Sequence, residues 1–417
     1  MVISRAPLTA LLASARELES DLIALRRRLH QVPELGLHLP RTKEIVMEAL
    51  VGLPVEISQH TDTSGVVATL RGEAGGGHDT VVLLRGDMDA LPLIEQTGLP
   101  YAVDEPRMHA CGHDLHTSML LGAARILSQW RDSLPGSVVF MFQPGEEGFD
   151  GARHMIDAGV LGAAGRMADA AYALHVNPAV LTFGTVATRG GTLLSAVGTM
   201  TVRVIGKGGH GSRPHRAKDP VPVLAEIVLA LQAMVTRQFD AFDPVVLTVG
   251  VLRAGTKFNI IPDEAYLEGT VRTFSAEQAK EVEVRATRLC TGIAASHGLQ
   301  AEMEFHHLYP TTNNSPTEAA RMMRVAAELF GEDSVHEYAN PQPGSEDFSR
   351  VLNEVPGAMA FLGACPIDGD PTIAAYNHSA HAVYDDSVVS RGAALLAGTA
   401  WDRMTETALH TAERASN

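Results

Sequence analysis

The sequence predicts an α/β protein whose mostly parallel sheet, with helices on both faces, is interrupted by an inserted β-α-β-β-α-β domain. In the first half of the chain, short apolar strand-like runs alternate with helical periods, an order typical of a buried parallel sheet. From about residue 198 the order becomes strand, helix, two strands, helix and strand, which is the split ferredoxin-like unit. The 417 residues allow two or three domains, each with its own core.

The first part of the chain begins with a helix. Leucines from Leu11 to Leu29 recur at roughly 3.6-residue spacing, and Pro33 and Gly36 end the pattern. A Gly-rich turn at 72–79 joins the first two strands. The strands expected next lie at 66–70, 80–84, 137–142 and 170–174, and the helices at 117–130 and 152–158.

The inserted domain has one firm boundary, because Ser275 and Gln278 form a capping-box signature at the start of its second helix. A polar run at 311–316 then resembles a linker. We therefore expect a discontinuous domain at 1–195 and 309–417 and an insert at 196–308. The remaining strands lie at 198–205, 245–252, 265–273, 301–306 and 358–362, and the remaining helices at 220–237, 276–296, 317–329 and 387–408.

Charge and composition exclude several classes of function. Lys and Arg number 33 against 49 Asp and Glu, a net charge of −16, so binding to a nucleic-acid backbone is not expected. Charged residues between Arg5 and Glu19 interrupt any secretion signal, and no uncharged apolar run reaches ~18 residues. Cys111, Cys290 and Cys365 are odd in number and far apart, which suits reduced thiols. We expect a soluble cytoplasmic protein that binds no membrane.

Polar residues follow several of the expected strands, where ligands bind in open α/β sheets. Cys111 and His113 are two residues apart, so on extended backbone they would point to the same side. A thiolate and an imidazole placed in this way suit a divalent metal ion. Taken alone, the pair is weak evidence for a metal site, because a half-buried cysteine and a loop that caps the next helix are the more common arrangement.

Glu146 and Glu147 are adjacent acids that follow the strand at 137–142. Two neighbouring side chains cannot easily face the same way, so one can bind metal while the other faces a substrate. Metal-dependent hydrolysis needs that division. A bound cation lowers the pKa of its water towards ~7, and a nearby free carboxylate takes the proton and passes it to the leaving group.

His175 and His378 follow other strands, and singly each could be a core or loop histidine. Together with Cys111, His113 and one glutamate they make five candidate ligands, too many for one closed tetrahedral site. Five ligands fit two ions ~3.5–4 Å apart that share a water. The acids expected to orient the imidazoles are Asp87, Asp89 and Asp114.

These residues resemble the M20 metallopeptidases, and within them the amidohydrolase branch of aminoacylases, hippurate hydrolases and indoleacetyl-amino acid hydrolases. The resemblance runs through nearly the whole chain, with its motifs in the family's order. They are HQVPELG at 30–36, GDMDALP at 86–92, HACGHD at 109–114, QPGEE at 143–147, GKGGHG at 206–211, NIIP at 259–262 and GSEDF at 344–348.

The resemblance implies metal-dependent hydrolysis of the amide bond of N-acyl amino acids, with Glu146 as general base and proton shuttle. It implies a lid and dimerisation role for the insert, and hence a homodimer or homotetramer. His210 would stabilise the oxyanion, in some relatives across the subunit boundary, and Asn259 would help to bind substrate. The metal ligands that it implies are Cys111, His113, Glu147, His175 and His378.

The metal and two alternative functions stay open at this point. A thiolate ligand favours zinc, whereas imidazole and carboxylate ligands also accept manganese, cobalt or nickel. A dipeptidase or carboxypeptidase could use the same dinuclear site, but a free substrate α-amino group would require an acidic partner. A non-enzymatic metal-binding protein of the same fold predicts loss of the shuttle carboxylate, and Glu146 is present.

Overall fold

The computed structural model describes residues 8–59, 61–74 and 80–416, with side chains to residue 408. Part of the expected Gly-rich turn, residues 75–79, lies outside the described residues. The chain divides into two compact units. Unit 1 comprises Met1–Leu193, Asn313–Asn340 and Asp347–Asn417, and unit 2 comprises Leu194–Thr312 and Pro341–Glu346.

Helices and strands alternate along unit 1. The helices of the chain are α1 (Leu8–Glu17), α2 (Glu19–His30), α3 (Pro40–Leu50), α4 (His113–Gln129), α5 (Gly151–Asp157), α6 (Pro220–Gln238), α7 (Ala276–Ser296), α8 (Pro316–Phe330), α9 (Ser349–Glu354) and α10 (Val388–Ser416). The strands are β1 (Val55–Gln59), β2 (Val66–Arg71), β3 (Thr80–Asp87), β4 (Gly136–Gln143), β5 (Ala170–Asn177), β6 (Val186–Thr188), β7 (Gly191–Leu194), β8 (Ala196–Ile205), β9 (Gly209–His210), β10 (Val245–Ala254), β11 (Ile260–Ile261), β12 (Glu264–Thr273), β13 (Gln300–Tyr309), β14 (Thr312–Asn314), β15 (Val335–Glu337) and β16 (Gly357–Gly363).

The core of unit 1 is an eight-stranded sheet in the order β1-β2-β4-β3-β5-β16-β6-β15. Its central strands β4, β3, β5 and β16 run parallel, and β1, β2 and β6 pair antiparallel with their inner neighbours. The central strands are almost wholly buried, which explains why they read as continuous apolar runs. The predicted mostly parallel α/β fold is confirmed.

The first helix differs from the expectation, because the leucine-rich segment forms two helices that meet at Leu18. The first half, α1, packs on α10, whereas the second half, α2, packs on α4. Both halves bury leucines completely, as Leu11 and Leu22 show. The interruption at Leu18 therefore allows the leucines of α1 and α2 to pack against two different helices.

Unit 2 contains a four-stranded antiparallel sheet in the order β10-β12-β8-β13, with α6 and α7 packed against it. When β8, β10, β12 and β13 are numbered 1 to 4, the order of strands in the sheet is 2-3-1-4. Together with α6 and α7 they form the β-α-β-β-α-β arrangement that the sequence predicted. The helix start predicted at Ser275 is also confirmed, since its Oγ accepts the N–H of Gln278 at 3.2 Å.

Among the residues that the structure describes, α6 is the one helix long and apolar enough to cross a membrane. Its buried side chains include Leu224, Ile227 and Leu231, which belong to the hydrophobic core of unit 2. A core helix of a globular domain can have the same length and hydropathy as a membrane-spanning helix. The length and hydropathy of α6 are therefore consistent with its packing in the core of unit 2.

A buried polar network joins the ends of β3 and β4. Arg85 donates from Nη1 to Asp87 at 2.7 Å, from Nη2 to Asp347 at 2.9 Å and from Nε to Gln143 at 2.9 Å. The amide of Gln143 donates to Asp347 at 2.8 Å, and Asp347 also accepts the N–H of Ala152 in α5 at 2.9 Å. Because Arg85 and both aspartates are buried, each charge depends on its partners.

Replacing Arg85 with Met should lower the free energy of unfolding by ~3–5 kcal/mol, because two buried carboxylates then lack their cation. Urea unfolding followed by circular dichroism measures the change. The matched control is Arg153→Met, which removes an exposed ion pair with Asp157 and should leave stability unchanged. Equal stability of the two variants would show that the network does not stabilise unit 1.

Candidate metal centre

The predicted metal ligands come together in unit 1, at the edge of the sheet where the parallel strands end. His113 begins α4, Cys111 lies two residues before it, and Glu147 follows β4. His175 lies near the end of β5, and His378 lies in the loop before α10. The carboxyl ends of parallel strands meet at one edge, which brings these distant segments into contact.

Cys111 and His113 reach this site by a different route from the one expected. Their backbone is not extended, because Gly112 between them has a φ of +86° and α4 begins at His113. A Cβ on residue 112 would lie 2.4 Å from Val176 Cγ2, so both the left-handed conformation and the close packing favour glycine. The turn, rather than a strand, places the thiol beside the imidazole.

The five candidate ligands form two groups that share Cys111. In the first, Cys111 Sγ lies 3.4 Å from His175 Nε2, and His113 completes the group. In the second, His378 Nε2 lies 3.2 Å from both Cys111 Sγ and Glu147 Oε1. Within each group the donor atoms are within 4.8 Å of one another. Two such groups are suited to two neighbouring divalent ions.

The imidazole of His113 lacks ordinary hydrogen bonds. Neither ring nitrogen has a hydrogen-bond partner among the described residues, although the ring is buried. The nearest carboxylate oxygens are those of Asp89, 3.5 Å from Nδ1, and Asp87, 3.6 Å from Nε2. His113 also shares donor groups with Cys111 and His175 and with Glu146 and Glu147, which suits a metal ligand.

The donors differ in the protonation that their surroundings favour. Burial raises the pKa of the Cys111 thiol, and the Glu147 carboxylate adds to the rise. Burial lowers the pKa of His175 well below its usual value, so this ring is in the neutral form that binds metals. Hydrogen bonds to Cys111 and Glu147 raise the pKa of His378 to about 10. A divalent ion would therefore displace protons from the thiol and from His378.

Glu146 and Glu147 are both close to His113, and their donor atoms lie with it in a third group. Of the two, Glu147 also shares a group with Cys111 and His378. Asp89 fixes this acidic turn, because its two carboxylate oxygens accept the backbone N–H groups of Glu146 and Glu147, each at 3.0 Å. The carboxylate of Glu146 is largely buried.

Asp87 is linked to β5, the strand that carries His175, through His116, a residue that the sequence did not single out. Its Oδ1 lies 2.6 Å from His116 Nδ1, and His116 Nε2 accepts the N–H of Val176 at 2.8 Å. Because Nε2 is an acceptor, Nδ1 carries the proton and donates to Asp87. His116 lies three residues after His113, so the spacing alone places both rings on one helix face. That spacing was the signal available in the sequence.

Asp114 differs from its expected role of orienting a metal-binding imidazole. Its Oδ2 lies 2.9 Å from Arg26 Nε and 2.7 Å from His30 Nδ1, and both partners belong to α2. Burial acts to raise the pKa of Asp114, but Arg26 and His30 outweigh it and hold the pKa well below its usual range. Asp114 thus joins the start of α4 to α2.

His210 and Asn259 belong to unit 2, where they lie close together. Strand β9 pairs with β11, and the N–H of Gly211 donates to the carbonyl of Asn259 at 2.9 Å. His210 is exposed, and its Nδ1 accepts the N–H of Ser212 at 3.1 Å. In the neutral ring this leaves the proton on Nε2, so His210 presents an N–H donor at the end of β9.

The sequence matches the family described as Peptidase family M20/M25/M40 over residues 83–402. It is 37% identical over 344 residues to N-acetylcysteine deacetylase of Bacillus subtilis (strain 168), an alignment that covers 82% of this chain and 88% of that protein. It is 35% identical over 384 residues to Thermostable carboxypeptidase 1 of Saccharolobus solfataricus, covering 91% of this chain and 94% of that protein.

The fold is similar to the crystal structure of a Bacillus subtilis protein described as a dinuclear metal binding peptidase from the M20 family. The TM-score is 0.79 at 32% sequence identity, and the match covers 93% of this chain and 99% of that chain. The donor groups of this chain agree with a centre of two divalent ions. The resemblance inferred from the motifs is confirmed, and the chain belongs to the M20/M25/M40 peptidase family.

Proposed function

We propose that this protein is a metal-dependent amidohydrolase that cleaves the amide bond of N-acyl amino acids and releases a carboxylic acid and a free amino acid. The observation that carries the proposal is the pair of donor groups sharing Cys111, with the Glu146 carboxylate beside them. The Bacillus subtilis relative supports the substrate class, because N-acetylcysteine is itself an N-acyl amino acid.

The proposed metal ligands are Cys111, His113, Glu147, His175 and His378. When bound, two divalent ions supply a water of lowered pKa and polarise the acyl carbonyl. Glu146 takes a proton from the water that attacks the acyl carbon, and it returns that proton to the amide nitrogen as the carbon–nitrogen bond breaks. Asp89 supports this step, since it fixes the backbone of Glu146 and Glu147 through both carboxylate oxygens.

We propose zinc as the metal, because a thiolate is among the donors and zinc binds thiolate and imidazole well. The imidazoles and the carboxylate would also accept manganese, cobalt or nickel. Geometry and metal supply, rather than affinity alone, decide between these ions. Metal content of the purified protein, measured by mass spectrometry, distinguishes them directly.

The proposed roles in unit 2 are oxyanion stabilisation by His210 and substrate binding by Asn259. His210 is an exposed residue, and a donor at its Nε2 supports the first role because it can bind a developing oxyanion. We further propose that the insert at 196–308 forms the lid and the dimerisation surface of a homodimer or homotetramer. The cytoplasm is the proposed location, supported by three cysteines that are all unpaired.

The second candidate function is a dipeptidase or carboxypeptidase at the same centre, favoured by the relative named Thermostable carboxypeptidase 1. The two functions differ in the group on the carbonyl side of the scissile bond, which is a simple acyl group in one case and an aminoacyl or peptidyl group in the other. A panel of N-acetyl, N-benzoyl and indoleacetyl amino acids beside free dipeptides separates them by amino-acid release. Turnover of dipeptides alone would assign the peptidase, and silence across the panel with metal bound would indicate a metal-binding protein without this activity.

Replacing Glu146 with Gln should lower kcat on N-acetyl amino acids by ~10²–10⁴-fold, because the amide can neither accept nor return the proton. Metal content should stay at the wild-type level. Steady-state kinetics and metal analysis of the same preparation test both statements. A variant that keeps wild-type kcat would remove Glu146 from the proton transfer.

Replacing Cys111 with Ser should reduce metal content and activity together, because both donor groups lose their shared sulfur. Cys365→Ser is the matched control, since Cys365 is a buried cysteine of unit 1 that belongs to no donor group found among the described residues. Metal analysis and amino-acid release are compared for the two variants. Full activity of Cys111→Ser with two bound ions would contradict the assignment of Cys111.

Replacing His210 with Ala should lower kcat by ~10²–10³-fold with metal content unchanged, as expected for loss of one oxyanion donor. His215→Ala, nearby in the same unit and also exposed, is the control. A kcat that is equal in the two variants would rule out oxyanion stabilisation by His210.

A further inference from the structure

We infer that Asn377 is a positioning residue that holds three of the proposed metal ligands, Cys111, His175 and His378, in register with one another. The inference rests on the proposed metal centre and adds a residue that does not itself bind metal. Asn377 lies in the loop before α10, directly before His378, and its side chain is half-buried. It therefore already adjoins one ligand through the backbone.

The side-chain amide of Asn377 contacts the segments that carry the other two ligands. Its Nδ2 lies 3.2 Å from the carbonyl oxygen of Cys111 and 3.2 Å from the carbonyl oxygen of Val176. Val176 directly follows His175 in β5. One NH₂ group thus donates to the backbone at both ligand-bearing segments, which lie in different parts of the sequence.

Tyr384 extends the same set of contacts. Its hydroxyl donates to the carbonyl of Ala110 at 2.7 Å and accepts from Asn377 Nδ2 at 3.2 Å. The N–H of His378 donates to that same Ala110 carbonyl at 2.9 Å. The carbonyls of the two peptide bonds that flank Cys111 are therefore fixed by Asn377, His378 and the buried Tyr384.

The backbone of His378 makes such fixing necessary. Its φ of +67° is in the left-handed region, which residues other than glycine seldom adopt. This conformation coexists with the 3.2 Å approach of His378 Nε2 to Cys111 Sγ. A sparsely populated backbone conformation persists where surrounding contacts determine it, and the bonds of Asn377 and of the His378 N–H are those contacts.

Asparagine suits this position chemically. It has the shortest side chain that carries an NH₂ group, and the two N–H bonds of Nδ2 are shared among three acceptors. An aspartate would turn acceptor oxygens towards two carbonyl oxygens, and an alanine would leave both carbonyls without this donor. Loss of the Asn377 amide would change the positions of the metal ligands. It would have little direct effect on the sulfur, because Nδ2 lies 4.0 Å from Cys111 Sγ.

The test compares Asn377→Ala with Asn314→Ala in the full-length, metal-loaded protein. Asn314 is a matched control, because it is a buried asparagine of unit 1 whose Nδ2 also contacts three acceptors, including the carbonyl of Met359 at 3.0 Å. Its partners lie on segments without a proposed ligand. Zinc affinity is measured by competition with a chromogenic chelator, and stability by urea unfolding of the metal-free forms.

Asn377→Ala should weaken zinc binding by ~10–100-fold, the range for residues that orient metal ligands, and should lower kcat on N-acetyl amino acids. Asn314→Ala should lower stability without changing zinc affinity. Tyr384→Phe keeps the ring and should weaken zinc binding in the same direction by a smaller factor, so the inference is testable even where Asn377→Ala folds poorly.

Wild-type zinc affinity in a folded Asn377→Ala variant would overturn the inference, as would an equal loss of affinity in Asn314→Ala. The wild-type protein separates this failure from that of the proposed function. If wild type binds two zinc ions and hydrolyses N-acetyl amino acids, an unaffected Asn377→Ala overturns the inference alone. If wild type binds no zinc, the proposed metal centre and the inference fail together.

Discussion

The carboxylate of Asp87 is buried, and its need for partners determines how the edge of the main sheet is built. One oxygen accepts from Arg85, and the other accepts from His116. An ionised group without water is tolerated only when charge and hydrogen bonds compensate it, so Asp87 requires both neighbours at once. Through His116 the same carboxylate fixes the N–H of Val176, next to His175. Through Arg85 it is connected to Asp347 and the end of β4.

The donor atoms at this edge lie within 4.8 Å of one another in each group without a bound cation. Their burial and their mutual contacts change the pKa values of the donors. Burial raises the pKa of Cys111, whereas hydrogen bonding raises the pKa of His378. Both groups must lose a proton to bind a divalent ion, which couples metal binding to pH. Affinity should therefore rise as pH increases, since fewer protons then compete with the metal for the same sulfur and nitrogen.

Much of the fold was predictable because its central strands are apolar and its helices strongly periodic. The elements missed were those without such patterns. Strand β1 is an edge strand that is mostly exposed, and β6 and β15 have three residues each. Helix α3 has no side-chain hydrogen bond at its N-cap, although Pro40 at its first position was an available signal.

The candidate ligands could be found from the sequence because Cys111 and His113 precede or begin α4, Glu147 follows β4 and His175 lies near the end of β5. His378 lies in a loop, and His116 could have been found from its spacing to His113. The partners of Asp114 could not, since His30 is 84 positions away along the chain. Asn377 and Cys111 are 266 positions apart along the chain. Their contact depends on how β5, α4 and the loop before α10 pack together. Such contacts arise from tertiary packing, and the periodicity and spacing of nearby residues carry no information about it.

The separation of Cys111 and His378 along the chain has a consequence for biosynthesis. The two residues are 267 positions apart, and all of the inserted unit 2 segment Leu194–Thr312 lies between them. Translation proceeds from the N-terminus, so a chain still on the ribosome offers at most four of the five proposed donors until His378 has emerged. Helix α10, which packs on α4 and β3, is made later still. The donor group of Cys111, His113 and His175 is thus made before the inserted segment, whereas the group of Cys111, Glu147 and His378 is complete only after that segment has been synthesised.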